Sequence, residues 1–256
     1  MNRLSIDANT PASSPAATAQ VSQPLARIAE RRATPHSLLT PMHYEPGYAY
    51  PLVIWLHSDG GDEHEVETVM PLVSERNYVA VGLRGTDSRG KHRGYKWTQD
   101  FLSIHHAQQR MFDAVEQATE RYNINQERVF IAGYGCGGTM ALRLALQFPN
   151  LFAGAVSLGG SFPRGTAPLA NLEQARKLPM MIAHARDSRT YTVDHLCDEL
   201  RLFHAAGLAM SLRQYPCGDE LTTQMLHDFD VWMMEQVTGM SSSSDNSMCE
   251  MPGDHN

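Results

Sequence analysis

The chain has 256 residues, of which 42% are hydrophobic and 19% charged, a composition typical of a globular domain. Its formal net charge of -7 argues against nucleic acid or an anionic membrane as the main partner. No segment reaches transmembrane length, and the N-terminus lacks the apolar run of a signal peptide, which makes the cytoplasm the expected location. The four cysteines include no C-x-x-C pair, so no zinc site, disulfide framework or cofactor is expected.

Composition divides the chain into three segments. Residues 1–33 are rich in Ala, Ser, Thr and Pro and poor in large apolar side chains, and residues 239–256 have a similar composition. Both segments are predicted to be disordered tails. In the segment between them, 34–238, short apolar runs alternate with amphipathic helical patterns, which predicts one α/β domain with a parallel sheet covered by helices.

Within this domain, six apolar runs are predicted to be strands. In chain order they are 50–57, 78–85, 128–133, 152–160, 178–185 and 208–216. Two helical patterns place apolar residues on a single face, and core packing is the expected role of those faces. The two sets are Ile104, Met111, Val115, Ala118 and Tyr122, and Leu221, Met225, Phe229, Trp232 and Met233.

The segment 129–146, VFIAGYGCGGTMALRLAL, begins as a buried strand and ends as a helix, with four glycines in and beside the turn. In many hydrolases this arrangement contains G-x-S-x-G, whose serine is an exposed nucleophile on a sharp turn. Here Gly135 stands at the serine position. Glycine adopts strained backbone angles without a Cβ clash, so we expect a positive φ at Gly135 and no nucleophile.

Four segments in order resemble the carboxylesterase/phospholipase branch of the α/β-hydrolases, close to the dienelactone hydrolase-like proteins. They are PLVIWLHSDGGDE, AGYGCGGTMAL, LPMMIAHARDS and AGLAMSLRQYPCGDEL, and together they cover roughly residues 36–237. The resemblance implies the α/β-hydrolase fold, a mostly parallel sheet with helices on both faces. It also implies a carboxylesterase-type hydrolase with a Ser-His-acid triad.

The resemblance assigns two substituted positions to that triad. The nucleophile position falls on Gly135, and the histidine position falls on Asp219, or on Glu220 if the register shifts by one. The acid position falls on Asp187, which we expect near Asp219 on a neighbouring loop at the same sheet edge. Two carboxylates there would repel, so we expect one to bind a proton or a cation such as Arg186.

The oxyanion hole of the family consists of backbone N–H groups, which do not depend on side-chain identity. The resemblance assigns its two donors to Cys136 and Asp59. Four residues around these positions are expected to contact a ligand, and they are His57, Ser58, Tyr134 and Trp97. The basic loop 84–99 is expected to border the same cleft.

Two hypotheses follow for function. In the first, the chain is a catalytically inactive family member that binds a small molecule or a partner in the inherited cleft. In the second, it is an active esterase or thioesterase with a displaced nucleophile such as Cys136, which would need a nearby base. Of the histidines, His184 and His57 are expected to have structural roles, and His227 is expected on the surface. The sequence decides neither the ligand nor the oligomeric state.

Overall fold

A computed structural model describes residues 34–91 and 93–239. The two tails that the sequence predicts to be disordered, 1–33 and 239–256, lie outside these residues except for Gly239. Within the two described ranges, no helix is both long and apolar enough to cross a membrane.

Seven of the described strands form one sheet, in which only the pairing of the first strand is antiparallel. The order across the sheet is β1-β3-β2-β6-β7-β8-β9, and β4 and β5 form a separate hairpin. In chain order the strands are β1 His36–Leu39, β2 Tyr50–Leu56, β3 Val79–Leu83, β4 Asp87–Ser88, β5 Tyr95–Lys96, β6 Ile124–Tyr134, β7 Gly154–Leu158, β8 Met180–Ala185 and β9 Met210–Tyr215.

Six α-helices connect these strands in the described part of the chain. They are α1 Glu65–Val73, α2 Phe101–Arg121, α3 Cys136–Gln147, α4 Leu172–Ala175, α5 Val193–Ala206 and α6 Thr223–Thr238, with a short 3-10 helix at Pro149–Leu151. The start of α2 is set by Asp100, whose side chain accepts a hydrogen bond from the Ser103 N–H at 3.0 Å.

The alternation of side chains along β2 divides the core between the two faces of the sheet. Leu52 and Ile54 pack on the face covered by α2, α3 and α5. Val53 and Trp55 pack on the opposite face, which α1 and α6 cover. The predicted fold class is therefore confirmed, since a mostly parallel sheet is covered by helices on both faces.

Each predicted strand corresponds to an observed one, but the sequence missed three short strands. β1 has four residues and pairs antiparallel with β3, and β4 and β5 have two residues each. Elements of this length contain too few residues for an alternating pattern. β6 also begins at Ile124, four residues before the predicted start at 128.

The parallel strands determine where a site can form. Their carboxyl ends lie along one edge of the sheet, so the loops that follow β2, β6, β8 and β9 are brought together there. These four loops contain His57 to Gly61, Gly135, Asp187 and Asp219.

Candidate functional site

The turn between β6 and α3 has the backbone shape that an exposed nucleophile requires. Gly135 has φ 55° and ψ -119°, and the conformation is held at both ends of the residue. The Gly135 N–H donates to Leu158 O at 2.8 Å, and Gly135 O accepts from the Thr139 N–H at 3.1 Å. A Cβ placed on Gly135 would have no atom within 4 Å. A side chain here would therefore extend into open space, and none is present.

Two neighbouring glycines are required because the turn lies against the backbone of β2. A Cβ on Gly133 would lie 2.6 Å from Leu56 O, and a Cβ on Gly137 would lie 2.1 Å from the same oxygen. Real Cβ atoms do not approach a carbonyl oxygen so closely. These glycines therefore reflect the packing of the fold, independently of any chemistry at Gly135.

The loop after β2 is shaped by the buried side chain of His57. Its Nε2 accepts a hydrogen bond from the Gly85 N–H at 2.8 Å, and its Nδ1 lies 2.6 Å from Ser58 O. Since Nε2 is an acceptor, the proton is on Nδ1 and the ring is neutral. Burial lowers the pKa of His57, in agreement with this tautomer. His57 therefore supports the loop instead of exchanging protons with a substrate.

Glu65, at the start of α1, fixes the next residue of this loop. Its Oε1 accepts from the Ser58 N–H at 3.0 Å, and its Oε2 accepts from the Ser58 hydroxyl at 2.7 Å. The Trp55 indole N–H also donates to Oε1, at 3.1 Å. The polar groups of Ser58 are thus engaged by protein, which leaves Asp59 as the next residue at the rim.

Asp59 and Cys136, the two expected oxyanion donors, line the same cavity. Cys136 is the first residue of α3, so its N–H has no acceptor four residues earlier in the helix, and the positive end of the helix dipole lies there. The Asp59 carboxylate pairs with Arg89 at 3.2 Å. The use of the two N–H groups as an oxyanion hole remains a prediction.

The Cys136 thiol is half-buried and packs against the core on the α2, α3 and α5 face. Burial raises the pKa of this thiol, although its hydrogen bond with the Trp97 backbone acts in the opposite direction. The neutral thiol is therefore the favoured form. No histidine lies among the described residues that line the cavity, so none there could take its proton.

The structure places Asp187 and Asp219 on adjacent loops, because the Asp187 N–H donates to Cys217 O at 3.0 Å. The Asp187 carboxylate is exposed and lies 3.3 Å from Nε of Arg186, the cation that we expected it to recruit. Asp187 does not line the cavity. Its carboxylate is thus directed to solvent and to arginine.

Asp219 does line the cavity, and the loop after β8 holds its carboxylate. The Ser188 hydroxyl donates a short hydrogen bond to Oδ1, the Thr190 hydroxyl donates to Oδ1 at 2.8 Å, and the Arg189 N–H donates to Oδ2 at 3.0 Å. These bonds, Ser188 first, lower the pKa of Asp219. Asp219 is therefore ionised at neutral pH, and of the two expected outcomes, a proton or a cation, the structure shows the cation, Arg186 beside Asp187. Glu220, the other register, also lines the cavity.

The cavity at this edge has a volume of about 460 Å³ and an acidic lining. Its charged lining residues are Asp59, Asp219 and Glu220, and no Lys or Arg lies among the described residues that line it. Tyr134 also lines it, and burial together with the nearby Asp219 raises the pKa of this phenol to about 12. The cavity is thus concave, partly apolar and negatively charged.

A model of the phospholipase/carboxylesterase family matches residues 95–238, which is more than half of the chain. The chain belongs to the phospholipase/carboxylesterase family. It is 27% identical over 121 residues to the carboxylesterase SOBER1 of Arabidopsis thaliana. That alignment covers 46% of this chain and 53% of the relative, so the chain spans about half of that relative's length.

Two solved structures agree with the fold. A carboxylesterase of Bacillus cereus superposes with a TM-score of 0.65 and 17% identity, covering 80% of this chain and 96% of the other. The structure of Arabidopsis SOBER1 gives a TM-score of 0.58 and 20% identity, covering 74% of this chain and 100% of the other. At these identities the likeness establishes the α/β-hydrolase fold alone.

Of the four expected ligand contacts for this family member, two line the cavity and two do not. Ser58 and Tyr134 are lining residues. His57 is fully buried and Trp97 is only 3% exposed, and neither reaches the cavity surface, which corrects the expectation for both. Their rings lie 5.4 Å apart, centre to centre, and support the loop from below. The Trp97 indole N–H has no hydrogen-bond partner among the described residues.

The basic loop 84–99 borders the site through the Asp59 loop. The Gly60 N–H donates to Tyr95 O at 2.8 Å, and the Tyr95 N–H donates to Gly61 O at 2.8 Å. The hairpin β4–β5 therefore docks on the loop that contains the expected oxyanion donor. None of its described residues lines the cavity.

Sequence reasoning missed the residues that hold Asp219. Ser188, Thr190 and Tyr191 line the cavity, and the two hydroxyl groups bind the carboxylate. The available signal was the segment DSRTY, which begins at the acid position and in which three hydroxyl residues follow Asp187. His184 and His227 are where we expected them, since His184 is buried against Tyr191 O at 2.9 Å and His227 is exposed.

Proposed function

We propose that this chain is a catalytically inactive member of the phospholipase/carboxylesterase family, which binds a small molecule in the inherited cavity. The observation that supports this most directly is the tip of the turn. Gly135 keeps the strained geometry of the nucleophile position and faces open space, but it has no side chain. Acyl transfer by the family's mechanism needs a hydroxyl or thiol at that point.

The residue at the histidine position also argues against proton transfer. An effective general base has a pKa near the operating pH, so that it can both accept and release the proton. Asp219 has a lowered pKa because three donors stabilise its charge. A carboxylate engaged in this way is a weak base at neutral pH, and its role in the proposal is to fix the loop 188–190.

The lining restricts the ligand. Three carboxylates line the cavity, and Asp59 alone of them pairs with an arginine, Arg89, which is not a lining residue. Since no Lys or Arg lies among the described lining residues, the lining repels anions, which disfavours free fatty acids and phosphates. A carbonyl oxygen could accept hydrogen bonds from the backbone N–H groups of Cys136 and Asp59, because those donors do not depend on the lost side chains. We therefore propose a neutral, ester-like or amide-like ligand. A cytoplasmic location and the absence of nucleic-acid and membrane partners belong to the same proposal.

The alternative is an esterase or thioesterase that uses Cys136. It is supported by the position of this thiol in the cavity lining, directly after the turn. Its raised pKa and the lack of a lining histidine among the described residues argue against an activated thiolate. The two hypotheses differ in one measurable property, covalent reaction with ester-directed probes.

The test is ester hydrolysis by the purified chain with p-nitrophenyl esters of several acyl lengths, together with labelling by a fluorophosphonate and by iodoacetamide. We expect no turnover above that of the Cys136→Ala variant and no labelled serine. Residual catalysis of about 10³-fold over water can persist without a triad, so the comparison with Cys136→Ala is the control. Turnover that Cys136→Ala abolishes, or stoichiometric labelling of any serine, would overturn the proposal.

Ligand binding is tested separately with a neutral ester and its free acid of equal chain length. Calorimetry should detect the ester and show weaker binding of the acid. Asp219→Asn should reduce the difference in affinity between the ester and the acid, because it removes one of the three lining charges. Equal affinity for both molecules would contradict the proposed electrostatic selection.

A further inference from the structure

A second cavity lies beside α5, outside the site described above. It has a volume of about 330 Å³, and the loop after β7 forms one wall. Apolar residues dominate the lining, among them Phe162, Leu169 and Leu202. Two acidic residues of α5, Asp198 and Glu199, and one cation, Arg164, complete the charged lining.

The Glu199 carboxylate is buried, and its two oxygens have different surroundings. Oε2 accepts the Tyr191 hydroxyl at 2.5 Å and the Phe162 N–H at 3.1 Å. Oε1 is also buried, but it has no hydrogen-bond partner among the described residues. The Glu199 side chain as a whole is only 4% exposed. Most buried polar side-chain atoms in proteins have a hydrogen-bond partner, so an orphan oxygen on a residue that lines a cavity indicates a missing partner.

Arg164 does not supply that partner. Its Nη2 lies 4.0 Å from Oε1, beyond hydrogen-bond distance, and its side chain is 67% exposed. Asp198, the other carboxylate of the lining, has its own partner in Arg201 at 2.7 Å. The buried charge of Glu199 is therefore incompletely compensated from the protein side.

Hydrogen bonds from a buried arginine hold one wall of this cavity. Arg143, fully buried in α3, donates to Arg164 O and Gly165 O at 2.7 Å each and to Thr166 O at 3.3 Å. These bonds hold a strained turn in which Thr166 and Ala167 have φ of 50° and 45°. A buried arginine that fixes three carbonyl groups keeps the loop in one conformation.

We propose that this second cavity binds a small organic cation, a primary ammonium group on an apolar body, with the ammonium donating to Glu199 Oε1. The ammonium supplies the missing hydrogen bond and the missing charge together. The apolar body packs against Phe162, Leu169 and Leu202. The positive charge of Arg164, whose Nη2 lies 4.0 Å from Oε1, repels the ammonium and so weakens its binding.

The probes are benzylammonium and its neutral counterpart benzyl alcohol, titrated into the full chain and followed by calorimetry and by the methyl NMR signals of Leu169 and Leu202. We expect saturable binding of benzylammonium with shifts of both leucines, and binding of benzyl alcohol that is weaker by about 10-fold or more. Equal affinity for the two probes, no binding of benzylammonium, or signal changes confined to the main cavity would each overturn the proposal.

Three variants separate the contribution of Glu199 from that of general charge. Glu199→Gln keeps an acceptor for Tyr191 but removes the charge, and we expect it to weaken benzylammonium binding by about 10-fold or more. Asp194→Asn, at an exposed carboxylate of α5 outside the cavity lining, is the matched control and should change the affinity by less than about 2-fold, because exposed charges contribute little. Arg164→Ala should strengthen binding. Unchanged affinity in Glu199→Gln, or loss of binding in Arg164→Ala, would refute the assignment, and the two-probe comparison on the parent chain remains decisive if Glu199→Gln does not fold.

Discussion

The substitution Gly135→Ser, which places a hydroxyl at the nucleophile position of our proposal, should destabilise the chain through the backbone alone. A Cβ at Gly135 meets no atom within 4 Å, so the substitution creates no clash. The φ of 55° and ψ of -119° remain unfavourable for any residue with a Cβ, at a cost of about 1–3 kcal/mol. The hydrogen bonds of Gly135 to Leu158 and Thr139 hold these angles, so the backbone cannot change them without breaking a hydrogen bond.

The measurement is the free energy of unfolding in urea, and thermal melts should show a fall of roughly 2–12 °C for the same change. The matched control is Gly47→Ser. A Cβ there also meets nothing within 4 Å, and the φ of Gly47 is not in the left-handed region. We expect the control to change stability by less than about 0.5 kcal/mol. If Gly135→Ser and Gly47→Ser have the same free energy of unfolding, the backbone at Gly135 is not strained.

The other predictions concern catalysis, pH and loop stability. In the Gly135→Ser/Asp219→His double variant, the rate of ester hydrolysis should increase by more than the product of the increases in the two single variants, because serine and histidine act as a unit. An increase equal to that product would mean that Asp219 is not at the histidine position. Burial lowers the pKa of His57 in the folded chain, so as the pH falls His57 is protonated at a higher pH in the unfolded chain than in the folded one. The free energy of unfolding should therefore fall as the pH drops below about 6.5. His57→Gln should flatten this dependence in urea titrations between about pH 5 and 7, and an unchanged slope would exclude His57 as its source. Arg143→Met leaves three carbonyl groups without their donor and should lower the free energy of unfolding by on the order of 3 kcal/mol, whereas a loss below about 1 kcal/mol would show that the loop after β7 does not depend on it.

The sheet could be predicted because its strands are buried on both faces. β2 and β3 are continuous apolar runs with every residue buried, and such runs are visible without any knowledge of their neighbours. β1 could not be predicted in this way. Its four residues, HSLL, become a strand only because the antiparallel edge of β3 is available to them.

In the candidate site, positions set by the backbone were predictable and side-chain directions were not. The turn at Gly135 and its neighbour Cys136 follow directly from the strand–turn–helix pattern, and both line the cavity. Asp219 was located as well, but its partners were not. Whether a carboxylate turns toward Asp187 or toward Ser188 depends on the path of two loops, and no local pattern encodes that path.

The same distinction explains why family membership does not decide activity here. Gly133 and Gly137 are needed in this chain because the turn touches Leu56 O, and that requirement holds with or without catalysis. The shape of the turn is thus evidence for the fold. Evidence about chemistry has to come from groups that the fold does not require. Gly135 is such a position because a side chain there would meet nothing, and Asp219 is another because its partners lie on an exposed loop. In our proposal neither position supplies a group that acyl transfer uses, although both residues line the same cavity.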